Sequence, residues 1–533
     1  MRDEEKDHRS PSGPARSALG ALNGLLAGVA ALAVAELAAA AVRPEAGPVV
    51  AVGGAAVDRA PTPVKDWAIR QFGTDDKLVL QLGILAVLTV LTLVLGMVAT
   101  RNRTVGAAGV LLFGGVGALA ATGRPDSTGF TDALPSLAGA AGGALLLYFL
   151  TGYLRGAPAP HGPGEAASPA DWNRRGFVIA AVSAAAASTA VGATGRALNG
   201  TSGRDAVASR ARVVLPRPGS TARPVPRQAA PRIAGLSPFT TPNADFYRVD
   251  TALVVPKVDA TGWRLRIHGK GVTRPADFTY EDLLRRELIE RDITLTCVSN
   301  EVGGPYVGNA RWTGVRLADL LAECGVKAPS RGGPADQLVS RSVDGMTIGT
   351  PVEDVLDGRD ALLAVGMNGE PLPFTHGFPV RMVVPGLYGY VSACKWLQDL
   401  ELTTFDAYDP YWVKRGWARK APIKTQSRID TPKPFARPKT GTVMVAGVAW
   451  AQHRGVDKVE VRVDDGPWQE AALAAEDTRD TWRQWTFPWQ APKGSHTLTV
   501  RATDRAGDLQ TERRARTVPD GASGWHSVVV TVE

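Results

Sequence analysis

The chain opens with long apolar runs and closes with short alternating ones, and the change falls near Leu198. A helix that crosses a bilayer needs about 20 apolar residues. Ala18–Val42, Leu78–Thr100, Val105–Ala121 and Ala133–Leu154 reach or approach that length, and Phe177–Ala193 is a shorter, alanine-rich fifth run. Their flanks orient them, because cytoplasmic loops collect Lys and Arg. Arg2, Lys6, Arg9 and Arg16 precede the first run, Arg101 and Arg103 separate the second from the third, and Arg155, Arg174 and Arg175 separate the fourth from the fifth. This predicts a cytoplasmic tail over 1–16, an N-terminal five-helix transmembrane bundle over 17–198, and outer loops at 43–76 and 122–132. An odd number of spans delivers everything downstream to the outside of a multi-pass cell-membrane protein. Asn173-Arg174-Arg175-Gly176-Phe177-Val178 also looks like a twin-arginine export signal, with an ordinary positive flank as the plainer reading.

Downstream, Pro216, Pro218, Pro224, Pro226 and Pro231 break any regular element, so 199–236 reads as a semi-extended Arg/Pro-rich linker. Strand-like and helix-like pieces then alternate through 237–435. Trp263–His268 alternates as a half-buried strand, and Tyr280–Glu287 is a helix with Leu283, Leu284 and Leu288 on one face. Ile293–Val298 is a buried strand, Leu317–Cys324 a helix closed by Gly325, and Val380–Val384 a continuous apolar strand. This is an α+β domain. Over 436–533, Val459, Val461 and Val463 alternate up to the hairpin signal Asp464-Asp465-Gly466, as do Leu498 with Val500 and Val528 with Val530. With Trp468, Trp482, Trp485 and Trp489 as core candidates, that segment is an immunoglobulin-like β-sandwich.

Charge and composition narrow the chemistry. Lys and Arg total 60 against 52 Asp and Glu, an excess too small and dispersed for a nucleic-acid partner. Cys297, Cys324 and Cys394 make no disulfide scaffold and no CxxC, so no iron–sulfur cluster is expected. His8, His161, His268, His376, His453, His496 and His526 all lie outside the five apolar runs, so no b-type haem with two histidine ligands is expected in the bundle. Glu36 lies inside the first run, where a carboxylate is a functional candidate by default; the favoured reading is a neutral side chain bonded between helices.

The chemistry-bearing residues cluster in the middle domain. Cys297 stands in Thr294-Leu295-Thr296-Cys297-Val298-Ser299-Asn300-Glu301, where a buried strand opens into Gly303-Gly304. Alone it reads as a small buried hydrophobe. Its company includes Asn243-Ala244-Asp245-Phe246-Tyr247, His376-Gly377-Phe378-Pro379-Val380-Arg381, and Pro385-Gly386-Leu387-Tyr388-Gly389 followed by Lys395-Trp396-Leu397. Together these motifs resemble the sulfite oxidase superfamily of molybdopterin enzymes over 237–533, and the apolar half resembles its membrane-anchored bacterial branch.

The resemblance implies a Mo-molybdopterin cofactor with Cys297 as the single protein ligand of the metal. It implies that Asn243, Phe246 and Tyr247 hold one side of the pterin, that His376 and Arg381 contact the pterin and its phosphate, and that Ser392, Ala393 and Cys394 give mainly backbone contacts. It further implies two-electron oxygen-atom transfer to or from a small molecule, a separate cytochrome or quinone-linked electron partner, and a homodimer through the C-terminal sandwich. A soft thiolate suits molybdenum, and a planar guanidinium suits a phosphate. Two departures touch the substrate side. Asn300 is followed by Glu301 where sulfite oxidases carry Arg, and Asp344–Pro351 lacks the tyrosine placed over the metal, leaving Arg248, Arg311 or Arg341 to compensate. Two rival readings remain at this point: Cys297 as a thiol nucleophile with His376 or His268 as base, and a non-catalytic surface-binding protein.

Overall fold

The computed structural model describes residues 13–61, 76–155 and 174–533, together with Val64, Trp67, Ala68, Gln71 and Phe72. Arg2, Lys6, Arg9, His8, His161 and Asn173 lie outside the described residues. The chain divides into two compact units, one of residues 1–205 with Thr251–Val255, the other of 206–250 with 256–533.

In the first unit the apolar runs form α1 (Gly13–Val42), α3 (Asp76–Arg101), α4 (Arg103–Thr122), α5 (Leu134–Arg155) and α6 (Arg174–Arg212). A short helix, α2 (Pro48–Arg59), lies inside the first expected outer loop. Among the described residues, five helices are long and apolar enough to cross a membrane. Small residues set their spacing. A side-chain carbon on Gly24 of α1 would lie 1.9 Å from Thr92 O of α3, and one on Gly96 would lie 2.1 Å from Gly20 O. Backbones approach this closely only where side chains vanish, which is how apolar helices gain packing contact without a hydrophobic driving force. At one end of the bundle Arg43 bonds Asp132 (2.8 Å) and Asp126 (2.9 Å), joining the two loops expected to share a face. Glu36 is bonded between helices: Asn199 Nδ2 of α6 donates to its Oε1 at 2.8 Å.

α6 corrects the expected linker boundary. It continues through 199–212, because alanine and arginine are strong helix formers and no proline intervenes before Pro216. Beyond it the chain is irregular, as its prolines dictate, yet tied down. Gly219 N donates to Leu288 O (2.9 Å) and Glu290 N to Ser220 O (2.8 Å), so this segment lies along a strand edge.

The second unit holds β1 (Arg264–Gly269), β2 (Ala276–Thr279), α7 (Tyr280–Leu284), β3 (Leu288–Thr296), β4 (Val307–Arg316), α8 (Leu317–Glu323), β5 (Gln337–Ser342), β6 (Thr347–Pro351) and α9 (Val352–Leu356). β7 (Leu362–Met367), β8 (Glu370–Pro371), β9 (Arg381–Val383), α10 (Gly389–Ser392) and β10 (Leu397–Thr403) complete its α+β part. One sheet runs β2-β1-β10-β5-β6 and the other β3-β4-β7-β8, with β9 on β7. α7 is shorter than expected. A capping box between Thr279 and Asp282 starts it, but Leu288 opens β3 instead of extending the helix face.

The sandwich follows as β11 (Gln426–Thr431), β12 (Gly441–Trp450), β13 (Val456–Val463), β14 (Gln469–Glu470), β15 (Ala472–Leu473), β16 (Arg483–Ala491), β17 (Gly494–Asp504) and β18 (His526–Val532). Its sheets are β11-β12-β16-β15 and β14-β13-β17-β18. It therefore begins before residue 436: β11 pairs with β12, and Ile429 enters its core. Asp464 takes a positive φ of 51° in the turn between β13 and β14, as its hairpin signal requires. Of the four tryptophans, Trp485 and Trp489 fill the sandwich core. Trp482 packs in the α+β core, donating from its indole to Phe239 O at 2.9 Å. Trp468 is half-buried at the surface, edge-on to Trp525 with Arg501 4.1 Å above its ring.

The α1–α3 crossing yields a first prediction. Gly24→Leu will force the two helices apart, at a cost of about 1–3 kcal/mol as for overpacking generally. Thermal unfolding of the purified chain will show a lowered first transition, and an unchanged midpoint would refute the close crossing.

Candidate cofactor-binding site

β3 is buried along most of its length and delivers Cys297 as the chain leaves the sheet. Cys297 N donates to Tyr306 O (3.0 Å), and Asn300 Oδ1 accepts from Tyr306 N (2.8 Å), closing the loop before β4 returns. The sandwich clamps the same strand end. Gln452 Nε2 donates to Thr294 O (3.0 Å) and Thr296 Oγ1 (3.1 Å), and Trp482 N donates to Thr294 Oγ1 (2.7 Å). Cys297 is half-buried, and burial drives its thiol above the ordinary range, against the opposing pull of Ser299 hydrogen bonds and the Lys395 charge.

The residues expected around Cys297 are brought together. Phe246 and Tyr247 stack with centroids 5.2 Å apart, and Phe246 stands edge-on to His376 (5.6 Å) and Trp312 (5.8 Å). Tyr247 is half-buried; desolvation raises its hydroxyl pKa, the Cys297 sulfur raises it further, and Arg381 opposes both. The Asn243 side chain is occupied within the protein, donating to Met367 O (3.3 Å) and accepting from Asn368 Nδ2 (2.8 Å). Its carbonyl accepts from His376 Nε2 at 2.9 Å, which leaves Nδ1 as the open acceptor of a neutral ring. Burial lowers the His376 pKa to about 4, and Arg381, Lys395 and Arg248 push the same way.

Arg381 is 5% exposed and has no carboxylate partner among the described residues. Its Nη1 donates to His376 O (3.3 Å), its guanidinium lies 4.9 Å above the Trp312 ring, and its buried Nε has no partner among the described residues. Lys395 and Arg248 instead share Asp250, at 2.7 and 2.9 Å. Ser392 Oγ is spent on Leu387 O (2.9 Å) and Tyr388 O (3.1 Å). The Ser392 and Cys394 carbonyls accept from Val384 N and Met382 N beside β9. Cys394 is wholly buried and burial drives its thiol far up, which marks it as packing. Sequence reasoning missed Trp312, which is indistinguishable from any core tryptophan, and Asn368. The latter had a signal: Asn368-Gly369 is a hairpin dipeptide, and both take positive φ, 52° and 82°, between β7 and β8.

Residues 252–412 match the family model "Oxidoreductase molybdopterin binding domain", and 426–500 match "Bacterial Ig domain". The chain is 33% identical over 159 residues to "Uncharacterized oxidoreductase YuiH" of Bacillus subtilis (strain 168), covering 30% of this chain and 74% of that one. The chain belongs to the sulfite oxidase superfamily of molybdopterin-dependent oxidoreductases. It is also 30% identical over 342 residues to "Sulfite oxidase, mitochondrial" of Mus musculus, covering 55% of this chain and 62% of the mouse protein's length. The solved structure of sulfane dehydrogenase SoxCD from Paracoccus pantotrophus matches 55% of this chain and 84% of its own at 25% identity, with a TM-score of 0.47.

The residues present fit the superfamily's cofactor. A buried guanidinium that has an orphaned N–H and no carboxylate among the described residues is suited to an anion, and Tyr247 lies within electrostatic reach of both that guanidinium and the Cys297 thiol. The cations named as possible substitutes on the substrate side differ. Arg311 is held by Asp292 at 2.6 Å and Arg248 by Asp250, whereas Arg341 has no ion pair among the described residues and acts on Cys394 through space. Glu301 is exposed.

His376 supplies a pH prediction. Its folded pKa lies below its unfolded value of 6.5, so its contribution to stability is intact above pH 6.5 and is lost as pH falls towards about 4. By the linkage relation this amounts to about 3 kcal/mol. His376→Gln will flatten that part of the stability–pH curve, measured by denaturant unfolding; an unchanged slope would contradict the buried neutral ring.

Proposed function

We propose that the chain is a membrane-anchored oxidoreductase whose catalytic half faces outward. It transfers an oxygen atom to or from a small molecule in a two-electron reaction at a Cys297-ligated molybdenum. The observation that carries this reading is Arg381, a buried cation whose natural partner is the phosphate of a pterin, set beside Phe246, Tyr247 and His376. The cofactor, when bound, supplies the redox chemistry. The chain does the rest. With the cofactor bound, Cys297 as the thiolate would be the metal's protein ligand, Arg381 and the open Nδ1 of His376 would hold the pterin and its phosphate, and Tyr247 would flank the thiol. Arg341 is the cation best able to replace the missing arginine on the substrate side. An activated thiol nucleophile is less well supported, because Cys297 has no imidazole or carboxylate hydrogen bond among the described residues and burial holds it protonated. The five apolar helices support the anchor, with Arg174 and Arg175 as the export signal for a domain loaded with cofactor before crossing. The sandwich is the proposed homodimer surface, and no haem is required within the chain.

Metal analysis tests the core of this reading: protein expressed with ample molybdate will contain about one molybdenum per chain. Cys297→Ser will fold yet lose nearly all oxygen-atom transfer, since a hydroxyl is a harder and far less acidic ligand. Arg381→Ala will weaken the cofactor by about 2–3 kcal/mol and yield cofactor-poor protein. Wild-type turnover in the first variant, or molybdenum-free wild-type protein, would overturn the proposal.

Topology has its own test. Alkaline phosphatase fused after residue 236 will be active in a bacterial host, and fused near Arg101 it will be silent. The reverse pattern would invert the orientation.

A further inference from the structure

The charge of the second half is unevenly spread. Residues 237–533 carry 37 Lys and Arg against 37 Asp and Glu, so this region is neutral as a whole. Two loops depart from that balance. Residues 406–424 contain Lys414, Arg415, Arg419, Lys420 and Lys424, and residues 511–521 contain Arg513, Arg514 and Arg516; the two together hold four carboxylates, Asp406, Asp409, Glu512 and Asp520. The loops are neighbours. Ala418 N donates to Pro519 O at 2.9 Å, and Lys424 Nζ bonds Asp520 Oδ1 (2.9 Å) and Gly521 O (2.7 Å). Lys414, Arg419, Lys420, Arg513, Arg514 and Arg516 are all exposed.

The same loops carry a connected set of aromatic rings. Tyr390 lies 5.6 Å from Trp417, Trp417 lies 6.3 Å from Trp412, and Trp412 lies 5.0 Å from Tyr411, over which Arg415 stacks at 3.4 Å. Trp412 and Trp417 are half-exposed. The inner end of this set reaches the site. Tyr390 belongs to α10, whose first residue, Gly389, is so placed that a side-chain carbon on it would lie 3.7 Å from Thr296 O and 4.0 Å from Tyr247 Oη. Its hydroxyl donates to Ala418 O at 2.7 Å. The second loop closes on the same wall: a side-chain carbon on Gly521 would lie 2.6 Å from the Tyr388 hydroxyl.

We propose that this basic rim, with Trp412 and Trp417 at its centre, is the docking surface for an acidic one-electron carrier protein. The inference rests on the redox reading above. In the oxidative direction each turnover takes two electrons from the substrate, draws the oxygen atom from water and releases two protons. Two carrier molecules accept one electron each; the reductive direction consumes two reduced carriers and two protons and yields water. The surface suits that partner on three counts. Its surplus cations steer and orient an acidic protein. Half-exposed Trp beside Arg is the composition of interface anchors. And the aromatic set joins the surface to α10, so a docked carrier lies on the side of the site where the Cys297 strand ends.

The test uses full-length, molybdenum-loaded protein in detergent, immobilised, with two probes: succinylated horse cytochrome c, which is acidic, and the unmodified, basic protein. The acidic probe will bind, and its affinity will fall steeply between about 20 mM and about 300 mM salt as screening requires, while the basic probe will not bind. The combined variant Lys414→Glu, Lys420→Glu and Arg513→Glu will bind the acidic probe about tenfold or more weakly, as expected for lost charge complementarity, with its molybdenum content and thermal midpoint unchanged. Equal binding of both probes, an unaffected variant, or a variant that loses anionic phospholipid vesicles instead of the carrier would each overturn the proposal. Because binding is read without turnover, a molybdenum-free wild-type chain would refute the catalytic reading separately.

Discussion

A guanidinium buried without a carboxylate is the constraint around which the middle domain is arranged. Removing a charge from water costs several kcal/mol unless something replaces its hydration. For Arg381 the replacement is partial, one carbonyl and one indole face, so burial lowers its pKa to about 10 and still leaves it charged at neutral pH. His376 is kept neutral first by its own burial and then by this cation, while Lys395 and Arg248 share Asp250. What remains is a cluster with surplus positive charge close to a half-buried thiol.

Much of this was legible in the sequence, for reasons that can be named. Long apolar runs have one reading, so α1 and α3–α5 lie within a few residues of their expected bounds. The Cys297, His376–Arg381 and Phe246–Tyr247 segments were legible as one group, and the structure brings His376, Arg381, Phe246 and Tyr247 together. The misreadings arise where local composition and tertiary context disagree. Residues 199–212 are rich in Arg, Ala, Gly and Ser and resemble a linker, yet nothing in them forbids a helix that has already been nucleated upstream. Gln426–Thr431 is polar along one side and was invisible as a strand until β12 supplied a partner. Trp482 sits among sandwich residues in sequence but crosses to the other core, a choice that depends on Phe239 lying nearby.

The helical half and the mixed half solve packing by opposite means. In the first, α1 and α3 approach until glycine is compulsory at Gly24 and Gly96, and polar side chains such as Asn199 bond between helices. In the second, large side chains such as Trp312, Trp396, Trp450 and Trp485 are fully enclosed. Helices held by contact of backbones tolerate little growth in side-chain size, whereas a core of large rings tolerates little loss.

The bonds from Gln452 and Trp482 to Thr294 and Thr296 carry an implication for how this architecture can change over evolutionary time. The two modules look separable by sequence, each with its own core, and such pieces are ordinarily gained, lost and exchanged at their linkers. Here the backbone carbonyl and both hydroxyls that precede Cys297 find their partners in the neighbouring module. Loss of the sandwich would remove the donors to the Thr294 carbonyl and the Thr296 hydroxyl, while the Thr294 hydroxyl would keep its bond to Asn309 (3.0 Å). The sandwich thus shares in holding the strand end that presents the thiol.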